Sequence, residues 1–125
     1  MKNPENKGIK RLINATIYSS QGIKAAFTNE EAFRQEVFAA LIMLPLAFYL
    51  DVDSTHRIMM VASVLLVMIV ELLNTAVEAV VDRVGFEFHE LAGRAKDTGS
   101  AAVLISMVLS AYVWCEAIYM AYFAA

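Results

Sequence analysis

The chain has little cysteine, histidine, proline or charge, and each shortage removes a class of chemistry. Cys115 is the only cysteine among 125 residues, so no internal disulfide can form. The two histidines and that thiol are too dispersed for a zinc site. Cys115 sits in an apolar run and reads as a small packing residue. Charged residues make up 18%, against about 25% in a soluble domain. The net charge of -3 says little, because the charges are segregated along the chain, and no nucleic-acid partner is expected. The first 30 residues hold no compact apolar segment with a small-residue cleavage site, so no removable signal peptide is expected. The phosphate loop GxxxxGKS or GxxxxGKT is absent, as are the HRD and DFG motifs of protein kinases.

What is abundant is apolar. Hydrophobic residues reach 59% and mean hydropathy is +0.56. They gather in three blocks, which predicts an all-α membrane protein forming a single domain over 1–125. Ahead of the blocks, Ile9, Leu12, Ile13, Ile17, Ile23 and Phe27 recur at helical spacing. With Lys7, Lys10, Arg11 and Lys24 mostly on other faces, residues 8–27 predict an amphipathic helix on the membrane surface. Gly22 is a point at which it could bend or break. Thr28-Asn29-Glu30-Glu31 fits a capping box and predicts a new helix from Thr28.

The spans are expected at 28–50, 56–83 and 98–123, with Pro45 a site for a kink in the first. Asp51 and Asp53 read as turn residues between the first two spans, and Met43, Met59, Met60 and Met68 as lipid-facing or packing side chains. Small residues from Gly99 to Ala102 would let helices approach closely. Tyr112, Trp114, Tyr119 and Tyr122 are expected to form an aromatic belt. Lysine and arginine cluster before the first span and around the 83–97 loop, whereas the 51–57 turn has only Arg57. The positive-inside rule therefore puts the N-terminus in the cytoplasm and the C-terminus outside.

The second span carries the chemistry. Glu71, Asn74, Glu78 and Asp82 fall within an arc of roughly 80° on a helix. An ionisable group inside a membrane is costly, about 2.5–3.5 kcal/mol on insertion scales, so such a stripe is a functional-site hypothesis. The shallower carboxylates suit Mg²⁺, which takes one or two protein carboxylates with phosphate oxygens and water. The deeper one suits proton abstraction from a hydroxyl. Together they fit phosphoryl transfer between a cytosolic nucleotide and a lipid alcohol. A small proton-coupled transporter using a buried Glu fits the same residues, and interhelical glue is the plain structural reading. Asp82 has two candidate partners, Arg83 and Arg94, or else contacts phosphate or metal directly.

The string from Glu71 to Asp82, ELLNTAVEAVVD, resembles the signature of the small prokaryotic integral-membrane diacylglycerol kinases. Supporting stretches are Asn29 to Glu36, Leu50 to Asp53 and His89 to Val103, and the likeness runs from about Arg11 to Trp114. The resemblance implies a homotrimer in the bacterial inner membrane, with active sites shared between protomers. It implies transfer of the ATP γ-phosphoryl group to diacylglycerol, giving phosphatidic acid.

By resemblance Glu71 matches the general base and Asn74 the signature amide that would position the base or a metal-bound water. Glu30 and Glu78 match the Mg²⁺ ligands. With those two, Arg11, Tyr18, Glu87, Phe88, His89, Glu90, Leu91, Lys96 and Asp97 match ATP-binding positions. Arg11, Ala32, Phe33, Arg34, Gln35, Glu36, Tyr49, Leu50, Asp51, Val52, Arg57, Glu71, Ser100 and Trp114 match lipid-substrate positions. A related branch phosphorylates undecaprenol and shares the signature. The strings Phe33 to Glu36 and His89 to Arg94 resemble the diacylglycerol branch. Ser20, Gln21, Phe88, Ala92 and Glu116 depart from the pattern.

Overall fold

The computed structural model describes residues 7–85 and 89–124. Four α-helices follow in order: α1 (Gly8–Asn29), α2 (Glu31–Tyr49), α3 (Ser54–Val84) and α4 (Glu90–Ile118). A π-helical turn, Tyr119–Phe123, ends α4. There is no strand among the described residues. Three of the helices, Glu31–Tyr49, Ser54–Val84 and Glu90–Phe123, are long and apolar enough to cross a membrane. Their outward side chains are apolar, as with Ile42, Ile69, Leu104 and Ile105. An apolar solvent demands that pattern while each helix satisfies its own backbone.

Helix α1 starts at Gly8, whose φ of +59° suits a residue without a side chain. It runs unbroken through Gly22, because one glycine costs a helix only about 1 kcal/mol against alanine. Its apolar residues Ile9, Leu12, Ile13 and Ile17 stay exposed, and Ala26 alone is buried. Contacts with α2 and α3 are few.

The predicted helix start at Thr28 is wrong. Thr28 lies inside α1, and the break falls at Glu30, in an extended conformation with φ -119° and ψ 112°. Glu30 makes no side-chain cap bond. Instead Arg34 Nη1 donates to the carbonyls of Phe27, at 2.8 Å, and Thr28, at 3.0 Å. Those are orphan acceptors at the end of α1, which Arg34 satisfies from the next helix.

Helix α2 continues through Pro45 and ends at Tyr49. The turn into α3 is tied from both sides. Arg57 donates to the carbonyls of Ala47, Leu50 and Val52 at 3.1, 3.3 and 3.1 Å. Asp53 caps α3 by accepting from the His56 N–H at 2.8 Å. That N–H, then the His56 ring, holds the Asp53 carboxyl below the usual carboxylate range. Tyr122 reaches back, its hydroxyl accepting the Asp51 N–H at 2.8 Å.

Helices α3 and α4 pack most extensively, with α2 against α3. The core joins Ala40, Ala47, Val52, Met60, Val64, Trp114 and Ala117. Alanines on α2 let it approach close enough for Met60 to be fully buried. Met59 is half exposed. Trp114 does not join the aromatic belt: it is 7% exposed, and its indole N–H donates to the Met60 carbonyl at 3.3 Å. A buried indole needs that acceptor. Tyr112, Tyr119 and Tyr122 remain exposed. Cys115 is exposed rather than packed, since it follows Trp114 by one residue and so faces another way.

Candidate functional site

On α3 the buried residues are Met60, Ser63, Val64, Val67 and Glu71. Steps of three and four residues keep them on one face. The spacing of Asn74, Glu78 and Asp82 continues the same stripe. One helix face therefore begins as a packed core and ends as a row of polar groups.

Glu71 is 6% exposed, and it is the one buried ionisable side chain among the described residues. The charges acting on it come from Glu36, Glu78 and Glu30. Glu36 arrives from α2 and Glu30 from the α1–α2 break, so three segments bring carboxylates toward one region. Asn74 Nδ2 donates to Glu78 Oε1 at 3.3 Å. Asn74 Oδ1 is buried without a hydrogen-bond partner. It lies against Gly99 of α4, where an added Cβ would overlap it.

Farther along α3, Asp82 pairs with Lys96 Nζ of α4 at 2.7 Å. That corrects the expectation of Arg83 or Arg94. Arg94 instead sits 3.8 Å from Glu90 on its own helix. The antiparallel register of α3 and α4 brings Lys96 opposite Asp82, which spacing along the chain could not reveal. His89 caps α4, its Nδ1 accepting the Leu91 N–H at 3.1 Å. An open groove of about 660 Å³ runs between α1 and α3, with Asn29, Glu30, Thr75 and Asp82 among its walls.

The remaining expected residues divide in space. Glu87 and Phe88 lie outside the described residues. Arg11 and Tyr18 are exposed on α1, and Asp97 and Ser100 are exposed on α4. Around the start of α2, Phe33 is buried, Ala32 and Gln35 are exposed, Arg34 caps α1, and Glu36 faces the Glu71 region. Tyr49, Leu50, Asp51, Val52, Arg57 and Trp114 sit at the other end of the helices. From the start of α3 to Glu71 is about 25 Å at 1.5 Å per residue. Arg57 and Trp114 at that end are engaged with backbone carbonyls.

No group of three or more His, Cys, Asp or Glu converges to hold a metal among the described residues. Mg²⁺ does not require one: it takes one or two carboxylates, with phosphate oxygens and water completing the shell. Glu78, half-buried and bonded to an amide, and Glu30, in the wall of the groove, are carboxylates of the type Mg²⁺ would take. Three features gave no sequence signal: the Arg34 cap, the Asn74–Gly99 contact and the Asp82–Lys96 pair. Each depends on how two helices are set against one another.

The family profile described as prokaryotic diacylglycerol kinase matches residues 17–118. The chain is 56% identical over 108 residues to a diacylglycerol kinase of Escherichia coli, covering 86% of this chain and 88% of that protein. It is 57% identical over 107 residues to one of Haemophilus influenzae, covering 86% and 91%. To one of Pseudomonas aeruginosa it is 50% identical over 107 residues, covering 86% and 87%. With its three membrane-length helices and this degree of likeness along most of its length, the chain belongs to the prokaryotic diacylglycerol kinase family.

Proposed function

We propose that the protein transfers the γ-phosphoryl group of ATP to the free hydroxyl of diacylglycerol, yielding phosphatidic acid and ADP. The observation that carries this reading is Glu71, a carboxylate buried in an apolar span at the head of a polar stripe. A lipid hydroxyl approaches from the bilayer and a nucleotide from the aqueous end, so they meet along that stripe. Glu71 takes the hydroxyl proton, and the oxygen attacks the γ-phosphorus as its bond to the β-phosphate oxygen breaks. Asn74 fixes Glu78. Glu78 and Glu30 would hold Mg²⁺, which when bound offsets phosphate charge. Lys96, paired with Asp82, would supply a cation to the phosphates.

The assembly in this reading is a homotrimer with shared sites, which adds groups that one protomer lacks. The whole chain acts as one inner-membrane domain, with its N-terminus cytoplasmic and its C-terminus periplasmic. Supporting that orientation, lysine and arginine concentrate before the first span and within residues 83–97.

Radiolabelled ATP supplied in parallel with diacylglycerol and undecaprenol tests the reading. Labelled phosphatidic acid, dependent on added diacylglycerol, is the expected product. Preferential labelling of undecaprenol would move the substrate to the other branch. Ligand-driven proton movement in liposomes without ATP turnover would replace the kinase with a transporter.

A further inference from the structure

Helix α4 meets the polar stripe most closely at Gly99. A Cβ built there would collide with the Asn74 side chain, its Oδ1 first and Cγ next. The obstacle is the end of a side chain, not backbone. Asn74 Oδ1 is also buried and has no hydrogen-bond partner. An orphaned carbonyl of this kind costs about 1–3 kcal/mol and calls for a reason. Its orientation supplies one. With the oxygen shut against α4, the amide presents its nitrogen to Glu78 Oε1, at 3.3 Å.

We propose that Gly99 is a positioning residue: by lacking a side chain, it lets the Asn74 amide lie against α4 with its N–H₂ aimed at Glu78. The inference rests on the reading that Glu78 helps hold metal-bound ATP. It adds that helix packing, not only the stripe itself, fixes the Glu78 carboxylate. Any side chain at Gly99 forces Asn74 to rotate and release Glu78. The fold then survives, because only a side-chain end has to move.

The test combines binding with a double-mutant cycle. Mg²⁺–ATP affinity is measured by calorimetry on the full-length protein in mixed micelles for wild type, Gly99→Ala, Asn74→Ala and the double variant. Gly99→Ala is expected to weaken affinity about tenfold, the scale of one lost hydrogen bond to a charged group. Asn74→Ala should do the same, and the double variant should be no worse than Asn74→Ala. The Asn74 side-chain amide resonances should also shift in Gly99→Ala.

An additive loss in the double variant would overturn the positioning role, as would a Gly99→Ala protein with unchanged affinity and unchanged Asn74 resonances. Unchanged affinity in Asn74→Ala would overturn the Asn74–Glu78 reading itself, and the inference with it. Should Gly99→Ala not fold, the double variant decides. Folding restored by Asn74→Ala supports the contact, whereas failure of both makes Gly99 a requirement of backbone packing and overturns the proposal.

Discussion

The α3–α4 pair is built on opposite rules at its two ends. Around Met60 the polar groups are matched. Ser63 donates to the Met60 carbonyl at 2.8 Å and lies 3.1 Å from the Ser110 hydroxyl, while Trp114 donates to the same carbonyl. Toward Glu78 the Glu71 carboxylate is buried, the Asn74 amide oxygen is orphaned, and carboxylates from three segments act on Glu71. Both ends use the same face of α3. A membrane interior penalises unmatched polar groups, so the second end is kept at the expense of stability. The difference separates a scaffold from the proposed reaction site within one helix pair.

The sharpest way to break this comparison is at Glu71. Glu71→Gln keeps the shape and removes the proposed base. Turnover should fall by about 10²-fold or more, within the range for a lost general base. Thermal stability should hold or rise, because a buried ionisable group is gone. The labelled-ATP assay and a melting curve together decide. Activity within a few-fold of wild type would reduce Glu71 to a packing group, and the contrast between the ends would disappear.

Much of this arrangement was legible beforehand, and the reason is periodicity. Apolar blocks mark the three spans, and the 3.6-residue repeat puts Glu71, Asn74, Glu78 and Asp82 on one face. What the repeat cannot supply is the register between helices. Asp82 finds Lys96 because α4 runs back along α3, although Arg83 and Arg94 are nearer neighbours in expectation. Trp114 turns inward to Met60 although its neighbours Tyr112 and Tyr119 stay outside. The Thr28 capping box failed for a related reason. The chain stays helical through Asn29, with Arg34 of the next helix bonding the carbonyls that end α1, so Thr28 never reaches a cap position.

The next prediction bears on the scaffold end. Trp114→Ala should destabilise the protein by about 3 kcal/mol or more, the scale for truncating a core aromatic. Trp114→Phe fills most of the space but removes one of the two side-chain donors to the Met60 carbonyl, leaving Ser63, a loss nearer 1 kcal/mol. If Trp114 serves the scaffold, the Michaelis constant for diacylglycerol in Trp114→Phe stays near that of wild type while the melting temperature drops. A raised Michaelis constant with unchanged melting would put Trp114 on the lipid, and the scaffold end would then carry function too.

The smallest expected effect lies at the α2–α3 turn, outside the span, where the scaffold meets water. The Asp53 carboxyl is held below its usual range by the His56 N–H and then the His56 ring. A lowered folded-state value means that the unfolded chain binds the proton more readily. The resulting stabilisation is therefore complete above the unfolded value, about 3.9, and is lost as pH falls through the folded value. Asp53→Asn keeps a capping oxygen without the charge, so at pH 7 it should melt slightly below wild type and above Asp53→Ala. On acidification the gap between wild type and Asp53→Asn should close, because wild type then also carries a neutral cap. Melting curves from pH 7 to pH 3 read this directly. A gap that persists below the folded value would mean that charge at Asp53 contributes nothing and that only the shape of the cap matters at this end of the helix pair.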